Sequence, residues 1–437
     1  MNGAAKAARS RGIRGTAAAV IVGIWYAATL LVARVFPRGR RPATAAGRVV
    51  IVGTFHNVGW YLSHIVPLSR AGLSDIVVVS DGDLPEVPGV RHDPPPSWLT
   101  ALLGRTTARF AWTVWVGRRS AADLFIGFHV IPNGTIALAA ARLTGGRACY
   151  QMTGGPIELI GGGYQATENQ ALGRLRVPSA RLERLALQVA GAFDLVVVRG
   201  TSARRFVAER TTAPEIAVIP GSVDLARIPA PPARRTCDLI FVGRLAPTKR
   251  PLQFLDIVAA VRRSIPGIRA RIVGDGAMMN AVRARITELG LDACVEVAGA
   301  VNDALPSVLD ARVFVLTSRS EGLSIAMAEA MICGAVPVVA DVGDLGDLVT
   351  DGETGFLIPP GDIEMHAVRA ITILQDEARW SRLSNAAAVR ARAYNGLTHV
   401  SELWRTRLAA LGADDSHRLP GPVVADAPLA AKEHKGR

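Results

Sequence analysis

The stretch that decides the fold reads VFVLTSRSEGLSIAMAEAMICG and spans Val313 to Gly334. Its first six residues form an apolar, β-branched run, which is typical of a buried strand. Residues 323–334 predict a helix with Ser324 near its start. Glu321 then precedes the helix, and Glu329 lies about two turns along it. Because the free N–H groups of a helix N-terminus favour phosphate, the pattern predicts a site for a nucleoside diphosphate.

Five more segments combine an apolar run with a polar or glycine-rich loop. They read AVIPGSVDL (217–225), FVGRLAPTKRP (241–251), RIVGDG (271–276), VEVAGAV (295–301) and DGETGFLIPPGD (351–362). With the two glutamates as an E-x(7)-E signature, these segments occur in the order of a known family. The chain resembles the retaining GT-B glycosyltransferases of the large family four over roughly residues 48–412.

The resemblance implies a GT-B fold, in which two Rossmann-like, doubly wound α/β domains face a central cleft. It implies an acceptor site in the first domain and a nucleotide-sugar site in the second. The implied donor-binding residues are Gly243, Arg244, Lys249, Gly274, Val301, Glu321, Gly322, Leu323, Ser324 and Glu329. The implied reaction is transfer of a sugar, with retention, from a nucleoside diphosphate sugar to a glycan or lipid-linked acceptor, without a cofactor and without a metal.

Four residues are candidates for catalysis: His129, Arg244, Lys249 and Glu321. Arg244 and Lys249 can neutralise a diphosphate leaving group, and charges of this kind act strongly in a closed cleft. His129 ends an apolar run in GFHVIPNG. The family has a histidine in a similar H-x-P-N-like setting, although Ile131 is an additional residue here.

Two loops of the first half are candidates for the acceptor side. TFHNVGWYLSH (54–64) follows the first predicted strand, where the family usually has a Gly-Gly turn. TGGPIELIGGGY (153–164) follows a later strand and either lines the acceptor site or forms a lid; the sequence leaves both open. The candidate residues are His56, Asn57, Gly154 and Gly155.

Two other classes of function compete with transfer. A sugar-nucleotide epimerase of the same fold needs groups that act on the sugar ring, and Glu158 or Glu168 are candidates. A non-catalytic nucleotide-sugar-binding scaffold is disfavoured because the polar donor-site residues are all present. A dinucleotide-binding fold is disfavoured because Met279 replaces the third glycine of G-x-G-x-x-G.

A metal site is not expected. Asp81-Gly82-Asp83 imitates a D-x-D metal motif, but it follows an early strand and is interpreted as a turn. The cysteines, Cys149, Cys237, Cys294 and Cys333, are widely spaced and form no C-x-x-C pair. This spacing argues against zinc and against a disulfide framework, and predicts mainly buried thiols in a reducing compartment.

Composition indicates a globular chain, since 49% of its 437 residues are hydrophobic and only 20% are charged. Of the net charge of +13, nine units fall in residues 1–50, which contain no acidic residue. That leaves +4 for the remainder. Because no basic strip interleaved with aromatic residues is present, nucleic acid is not an expected partner.

The excess positive charge surrounds an uncharged run at residues 15–33. A run of this length suffices for a helix that spans a bilayer core of ~30 Å. The alternatives are a helix on the membrane surface and a helix packed on the enzyme. The flanking cations favour anionic lipid, and their distribution slightly favours a catalytic part on the cytoplasmic face of the membrane.

Repeated apolar runs separated by helical stretches predict two parallel sheets. The runs of the first set begin near residues 48, 75, 122, 148 and 193; those of the second set begin near residues 238, 270, 295, 312 and 335. A proline-rich linker lies between the two sets. The predicted units are a membrane-associating segment at 1–47, an acceptor domain at 48–227, a donor domain at 236–412 whose last helix crosses back, and a disordered tail at 414–437.

Overall fold

The computed structural model describes residues 2–38, 47–55, 57–166, 172–175, 177–232 and 234–412. Its strands form one sheet in each half of the chain. The first sheet contains β1 Arg48–Val52, β2 Asp75–Val79, β3 Val90–His92, β4 Leu124–Phe128, β5 Arg147–Gln151, β6 Leu195–Val198 and β7 Ile216–Val218. The second contains β8 Cys237–Val242, β9 Ala270–Val273, β10 Val295–Gly299, β11 Ala311–Leu316, β12 Val336–Ala340 and β13 Phe356–Ile358.

Helices alternate with these strands. The first half contains α1 Asn2–Val35, α2 Val58–Ser69, α3 Ser97–Leu103, α4 Arg105–Arg119, α5 Thr135–Thr144, α6 Ala180–Gly191 and α7 Thr201–Arg210. The second half contains α8 Pro251–Ser264, α9 Met279–Glu288, α10 Leu305–Leu309, α11 Ile325–Ile332, α12 Ile363–Leu374, α13 Glu377–Asn395 and α14 Leu397–Gly412.

Both sheets are parallel, and both reverse their strand order at the same relative position. The order is β3-β2-β1-β4-β5-β6-β7 in the first sheet and β10-β9-β8-β11-β12-β13 in the second. Apolar cores cover the two faces of each sheet, as doubly wound sheets require. The predicted α/β class with two Rossmann-like units is confirmed. Ligands of such sheets bind beyond the carboxyl ends of the strands.

Helix α1 packs on the outside of the first unit. Tyr26 is fully buried between α1 and the helices α5 and α6, and Ala18, Val22 and Leu30 line the same side of α1. The indole N–H of Trp25 donates to Thr135 Oγ1 at the start of α5, at 2.6 Å. Of the three sequence-based alternatives for this segment, the structure therefore displays packing on the rest of the protein, along one side of the helix.

The chain crosses between the halves twice. Near the linker, Val223 N–H donates to Asn395 C=O at 2.7 Å, and the Asn395 side chain donates to Gly221 C=O at 2.8 Å. Helix α14 then packs against α2, and its Trp404 joins the core of the first sheet. Cys149, Cys237 and Cys333 are buried free thiols and Cys294 is half-buried, which confirms the prediction of mainly buried thiols. The predicted tail at 414–437 lies outside the described residues.

Candidate functional site

Three loops at the carboxyl edge of the second sheet pack against one another. Gly243 N–H, just after β8, donates to Val273 C=O at 3.0 Å, and Gly274 N–H donates to Gly299 C=O at 2.7 Å. Gly274 has a φ of +139°, and a Cβ atom there would lie 2.0 Å from the Gly243 carbonyl oxygen. Only glycine fits this crossing, which explains the V-G-D-G sequence. Val301, two residues beyond β10, is exposed beside these loops.

An ion pair joins the loop after β8 to the segment before α11. Lys249 Nζ lies 2.6 Å from Glu321 Oε1, and the two side chains are only 19% and 8% exposed. Thr317 Oγ1, beyond the end of β11, donates to the carbonyl oxygens of Lys249 at 3.1 Å and Arg250 at 3.0 Å. The position of Lys249 is therefore fixed by backbone and side-chain contacts. Arg244 is exposed on the same loop.

The helix that follows Glu321 begins as predicted from the sequence. Ser324 is its N-cap, and the Ser324 hydroxyl accepts from Met327 N–H. Leu323 and Ser324 are buried, whereas Gly322 lies at the contact with the first domain described below. The N-terminus of α11 and the Lys249 ammonium group thus lie on the same side of the cleft, and both attract anions.

Glu329 lies on α11 in the wall of a cavity of about 450 Å³ between the two halves of the chain. Ser63 and Glu86 line the cavity from the first half, and Arg227 lines it from the linker region. Burial, with a smaller contribution from the charge of Asp303, raises the pKa of Glu329 to about 7, although Arg227 opposes the shift. Near neutral pH this carboxyl group therefore exchanges a proton readily.

The two halves touch where the candidate donor and acceptor residues meet. Gly155 has a φ of +76°, and a Cβ atom there would lie 3.4 Å from the Glu321 carbonyl oxygen. A Cβ atom on Gly322 would lie 2.8 Å from the carbonyl oxygen of Thr153. The structure thus brings Gly154 and Gly155 next to Glu321 and Gly322, and both loops follow the carboxyl end of a strand.

His129 lies at the carboxyl end of β4 and is held by a buried carboxylate. Its Nδ1 atom is 3.0 Å from Glu158 Oε1. Glu158 also accepts from Val130 N–H at 3.0 Å, Gly154 N–H at 2.7 Å and Tyr150 OH at 2.8 Å. Burial opposes ionisation of Glu158, but the charge and hydrogen bond of His129 and the other donors outweigh it and lower its pKa. Because an ionised carboxylate only accepts, Nδ1 carries a proton and points to Glu158.

The position of Glu158 corrects one sequence-based alternative. An epimerase would need Glu158 at the sugar ring, but this side chain is 2% exposed and its two oxygens accept from four donors. It orders the loop at residues 154–158 and orients His129. The other epimerase candidate, Glu168, lies outside the described residues.

In the loop after β1, one of the predicted acceptor residues stabilises the start of a helix. Asn57 is the N-cap of α2, and its Oδ1 atom accepts from Trp60 N–H at 2.8 Å. The Trp60 ring stacks on His129 with 6.0 Å between centroids and an interplanar angle of 6°. Trp60 therefore forms one wall beside His129, and it is a residue that the sequence did not single out. His56 lies outside the described residues.

Asp81 pairs with a buried arginine. Its carboxylate accepts from Arg109 Nη2, and Arg109 Nη1 donates to Asn133 Oδ1 at 2.7 Å and Thr54 Oγ1 at 3.1 Å. This network joins the ends of β1, β2 and β4. Among the residues that the structure describes, no group of three or more His, Cys, Asp or Glu side chains is arranged to hold a metal ion. The absence of a catalytic metal stays a prediction.

Two carboxylates of the second half cap a helix of the first. Asp344 Oδ1 accepts from Ser202 N–H at 2.9 Å and Ala203 N–H at 3.1 Å, and Asp347 Oδ2 accepts from Thr201 N–H at 2.6 Å. Helix α7 follows Gly200, which has no side chain to serve as a cap. These bonds hold the two halves together beside the contact at Gly155.

Comparisons with known proteins agree with this geometry. The profile of the family described as Glycosyl transferases group 1 matches residues 231–390. A D-inositol 3-phosphate glycosyltransferase of Acidothermus cellulolyticus is 30% identical over 307 residues, which cover 64% of this chain and 68% of that protein. A UDP-Gal:alpha-D-GlcNAc-diphosphoundecaprenol alpha-1,3-galactosyltransferase of Escherichia coli is 32% identical over 181 residues, 37% of this chain and 46% of that protein. The chain therefore spans less than half of the latter relative.

Solved structures with the same arrangement of domains confirm the predicted GT-B fold. Anabaena HepE in complex with UDP and glucose superposes with a TM-score of 0.68 at 18% identity, covering 83% of this chain and all of that one. The S. aureus TarM G117R mutant, bound to Fondaparinux, alpha-GlcNAc-glycerol and UDP, gives a TM-score of 0.58 at 17% identity, covering 69% of this chain and 59% of that one. At these identities the likeness concerns the fold alone.

Proposed function

Because this chain belongs to the glycosyl transferases group 1 family, we propose that it is a retaining glycosyltransferase. It moves a sugar from a nucleoside diphosphate sugar to a glycan or lipid-linked acceptor. One observation carries the proposal: the Lys249–Glu321 ion pair stands beside the N-terminus of α11, at the contact with Gly155 of the first domain. A diphosphate at this place lies between a cation, helix N–H groups and the opposite domain.

The donor is held at both ends of its nucleotide. Arg244, Lys249 and the N-terminus of α11 neutralise the diphosphate, while Glu329 accepts hydrogen bonds from the ribose hydroxyls in the cavity between the domains. Glu321 holds Lys249 and contacts the sugar. The loops around Gly243, Gly274 and Val301 line the nucleotide. The crossing at Gly274 leaves no room for a side chain, because a Cβ atom there would lie 2.0 Å from the Gly243 carbonyl oxygen.

The anomeric configuration of the sugar is retained because the acceptor attacks the same face of the sugar that the leaving group departs from. The bond between the anomeric carbon and the diphosphate oxygen breaks, and the acceptor oxygen bonds to that carbon from the same face. The leaving phosphate oxygen takes the proton of the acceptor hydroxyl. Lys249 and Arg244 stabilise the developing diphosphate charge, which is the effect that grows in the transition state. His129, oriented by Glu158 through Nδ1, directs Nε2 towards a hydroxyl of the sugar.

The acceptor reaches this centre through the first domain. Its candidate contacts are Asn57, Gly154 and Gly155, with Trp60 as a wall beside His129. The relatives named above include an enzyme named for a diphosphoundecaprenol acceptor and one named for an inositol phosphate acceptor. The first of these names supports a lipid-linked acceptor.

Membrane attachment belongs to the same proposal. Residues 16–35 form the one helical segment, within the described part of the chain, that is long and apolar enough to cross a membrane. The nine cations of residues 1–50 favour the anionic surface of a cytoplasmic leaflet. Residues 1–47 therefore attach the enzyme to the cytoplasmic face of the membrane.

A panel of nucleoside diphosphate sugars tests the proposal. The panel pairs uridine and guanosine with glucose, N-acetylglucosamine, galactose and mannose, first in thermal-shift binding and then in product analysis with EDTA present. Transfer predicts free nucleoside diphosphate only when an acceptor is added. An altered sugar nucleotide without acceptor would establish an epimerase, and binding without turnover would establish a scaffold. Turnover that is lost in EDTA and restored by manganese would contradict the metal-independent mechanism.

A further inference from the structure

Helix α1 exposes an apolar stripe along the side that faces away from the enzyme. The residues Val20, Ile21, Ile24, Leu31 and Val35, here called the outer stripe, are 56–65% exposed. From Val20 to Val35 the helix rises ~22 Å. Isolated apolar residues on a surface are ordinary, but a continuous row of this length indicates an interaction surface.

The enzyme uses only the opposite side of the same helix. Val22 and Tyr26 are buried against α5 and α6, so α1 cannot leave the domain without uncovering them. A helix that is apolar on both sides needs an apolar environment on both sides. The domain supplies one of them, and the outer stripe needs a second.

Contacts along α1 fix its direction relative to the cleft. Gly23 lies against Leu182 at the start of α6, and Arg38 donates to Gly191 C=O at the end of α6 at 3.3 Å. Because α6 runs antiparallel to the strands it connects, its start lies at the carboxyl edge of the sheet, where the cleft is. Residues 2–22 of α1 therefore extend past that edge, over ~30 Å of helix.

Two exposed apolar residues stand at the same edge. Ile160 is 43% exposed and Val177 is 70% exposed. Their segments are joined by a hydrogen bond from Ser179 N–H to Gly161 C=O at 2.9 Å, next to Leu182 and thus to α1. Ile160 belongs to the loop that begins at Gly155, so five residues separate this apolar edge from the contact with Glu321.

Charge distinguishes between two possible occupants of the outer stripe. A second copy of the chain would place its own α1 against this one, and residues 2–35 of each contain five basic residues and no acidic residue. The exposed arginines next to the apolar edge are Arg174, Arg181 and Arg184, and Arg34 is exposed on α1 itself. Glu183, also on α6, is occupied by Arg210 and by Gly161 N–H. An anionic bilayer complements this surface, and a second copy does not.

We propose that α1 docks the enzyme in the plane of an anionic bilayer instead of spanning it. The outer stripe lies at the boundary between the headgroups and the acyl chains, and Ile160 and Val177 bring the rim of the cleft onto the lipid surface. A lipid-linked acceptor then reaches Gly155 and Glu321 with its lipid still in the bilayer. This inference rests on the proposed transferase function for its substrate, whereas the docking itself is independent of turnover.

Vesicle co-sedimentation of the full chain tests the docking surface. The test variant is Ile21→Ser/Ile24→Ser/Leu31→Ser, and the matched control is Val368→Ser/Val389→Ser, which changes exposed residues of α12 and α13. On vesicles of phosphatidylcholine mixed with phosphatidylglycerol, the test variant should partition on the order of tenfold less than the wild type, and the control should equal the wild type. Equal thermal midpoints establish that both variants fold.

A fluorescent label tests the orientation. In a Cys294→Ser background, an environment-sensitive fluorophore at Val177→Cys should shift to the blue on adding the mixed vesicles, whereas the same label at Val389→Cys should not. Vesicles of phosphatidylcholine alone should bind much less protein.

Four results would overturn the proposal. In the first, the stripe variant partitions onto vesicles as strongly as the wild type; in the second, the wild type binds both kinds of vesicle equally. In the third, the protein binds vesicles but the label at position 177 does not shift. In the fourth, the wild type forms a dimer without lipid and the stripe variant does not. The third result would indicate a spanning helix and the fourth a second copy. Since no result depends on turnover, failure of the transferase assay would leave the docking test intact.

Discussion

Glu329 lies in a cavity where burial raises its pKa to about 7. Ribose hydroxyls donate to the ionised form, so donor binding favours loss of the proton. We expect the affinity for a nucleoside diphosphate sugar, whose diphosphate does not titrate near neutral pH, to be full above pH 7 and to fall as the pH decreases below it. Glu329→Ala should weaken binding by ~1.5–3 kcal/mol. Isothermal titration calorimetry at several pH values checks the pH dependence and the loss of affinity, and Glu329→Gln is the control because its side chain cannot ionise. A pH dependence that persists in Glu329→Gln would remove Glu329 from the binding site.

Arg244 and Lys249 should act mainly on the transition state. Removing either side chain leaves developing diphosphate charge less stabilised, so we expect kcat to fall ~10²–10³-fold with a smaller change in acceptor KM. Lys249→Ala should also lower the thermal midpoint, because it leaves Glu321 buried without its partner. Arg283→Ala, an exposed arginine on α9, is the control. A change confined to acceptor KM would contradict the phosphate role.

Glu158 should act through His129. Glu158→Gln replaces two accepting oxygens by one, so some of the four groups that donate to Glu158 lose their acceptor. Each unpaired donor should lower the free energy of unfolding by ~1–3 kcal/mol. We expect kcat to fall because the His129 ring is no longer fixed. In a double-mutant cycle, Glu158→Gln should add little to the kinetic effect of His129→Ala. Additive losses in kcat would show that Glu158 acts independently of the histidine.

At the scale of residues, the contacts within the second half of the chain were more predictable from the sequence than those within the first half. Lys249, Glu321 and Glu329 occur in segments with recognisable spacing, and each follows a strand that is easy to identify. The partner of His129 was not predictable as a contact because Glu158 is 29 residues away, in a loop whose path the sequence does not define. A glutamate among apolar residues, in the stretch PIELI, was the available signal for a buried carboxylate.

At the scale of elements, long strands were predicted and short ones were not. The strands β3, β7 and β13 contain three residues each, which is too few for alternation or an apolar run to be recognised. All three lie at sheet edges. For α1 the sequence indicated an apolar helix but not its partner, since the stretch is apolar on both sides and gives no preferred face.

Deleting residues 1–45 should therefore destabilise the enzyme. The deletion uncovers the surface of α5 and α6 that Val22 and Tyr26 occupy, at ~1.5–3 kcal/mol for each large side chain. We expect a lower thermal midpoint and aggregation in analytical ultracentrifugation. Deleting residues 2–14 keeps the packed part of α1 and is the control. A monomeric 1–45 deletion with an unchanged midpoint would indicate that α1 does not stabilise the domain.

At the scale of the whole molecule, the carboxylates at the start of α7 hold the cleft in its present arrangement. Burial, together with the charge of Asp347, raises the pKa of Asp344 against the effect of its N–H donors. Asp344→Ala/Asp347→Ala removes the caps of α7 and should cost ~1–2 kcal/mol while opening the ligand-free cleft. Small-angle scattering should then show a larger radius of gyration. Glu353→Ala, an exposed position in the same region, is the control; equal radii of gyration for the double variant and the wild type would contradict the role of the caps.

The packing of α1 also has a consequence for synthesis on the ribosome. Its partner α6 begins about 145 residues after α1 ends, which at ~5–20 residues per second is a delay of ~7–30 s. During that interval the nascent chain carries an apolar, cationic helix, while the surface of α6 on which this helix packs has not yet been synthesised. We expect ribosomes stalled before residue 150 to sediment with anionic membranes, and ribosomes bearing a nascent chain without residues 1–38 to remain free. Attachment to the membrane would then precede folding of the first domain.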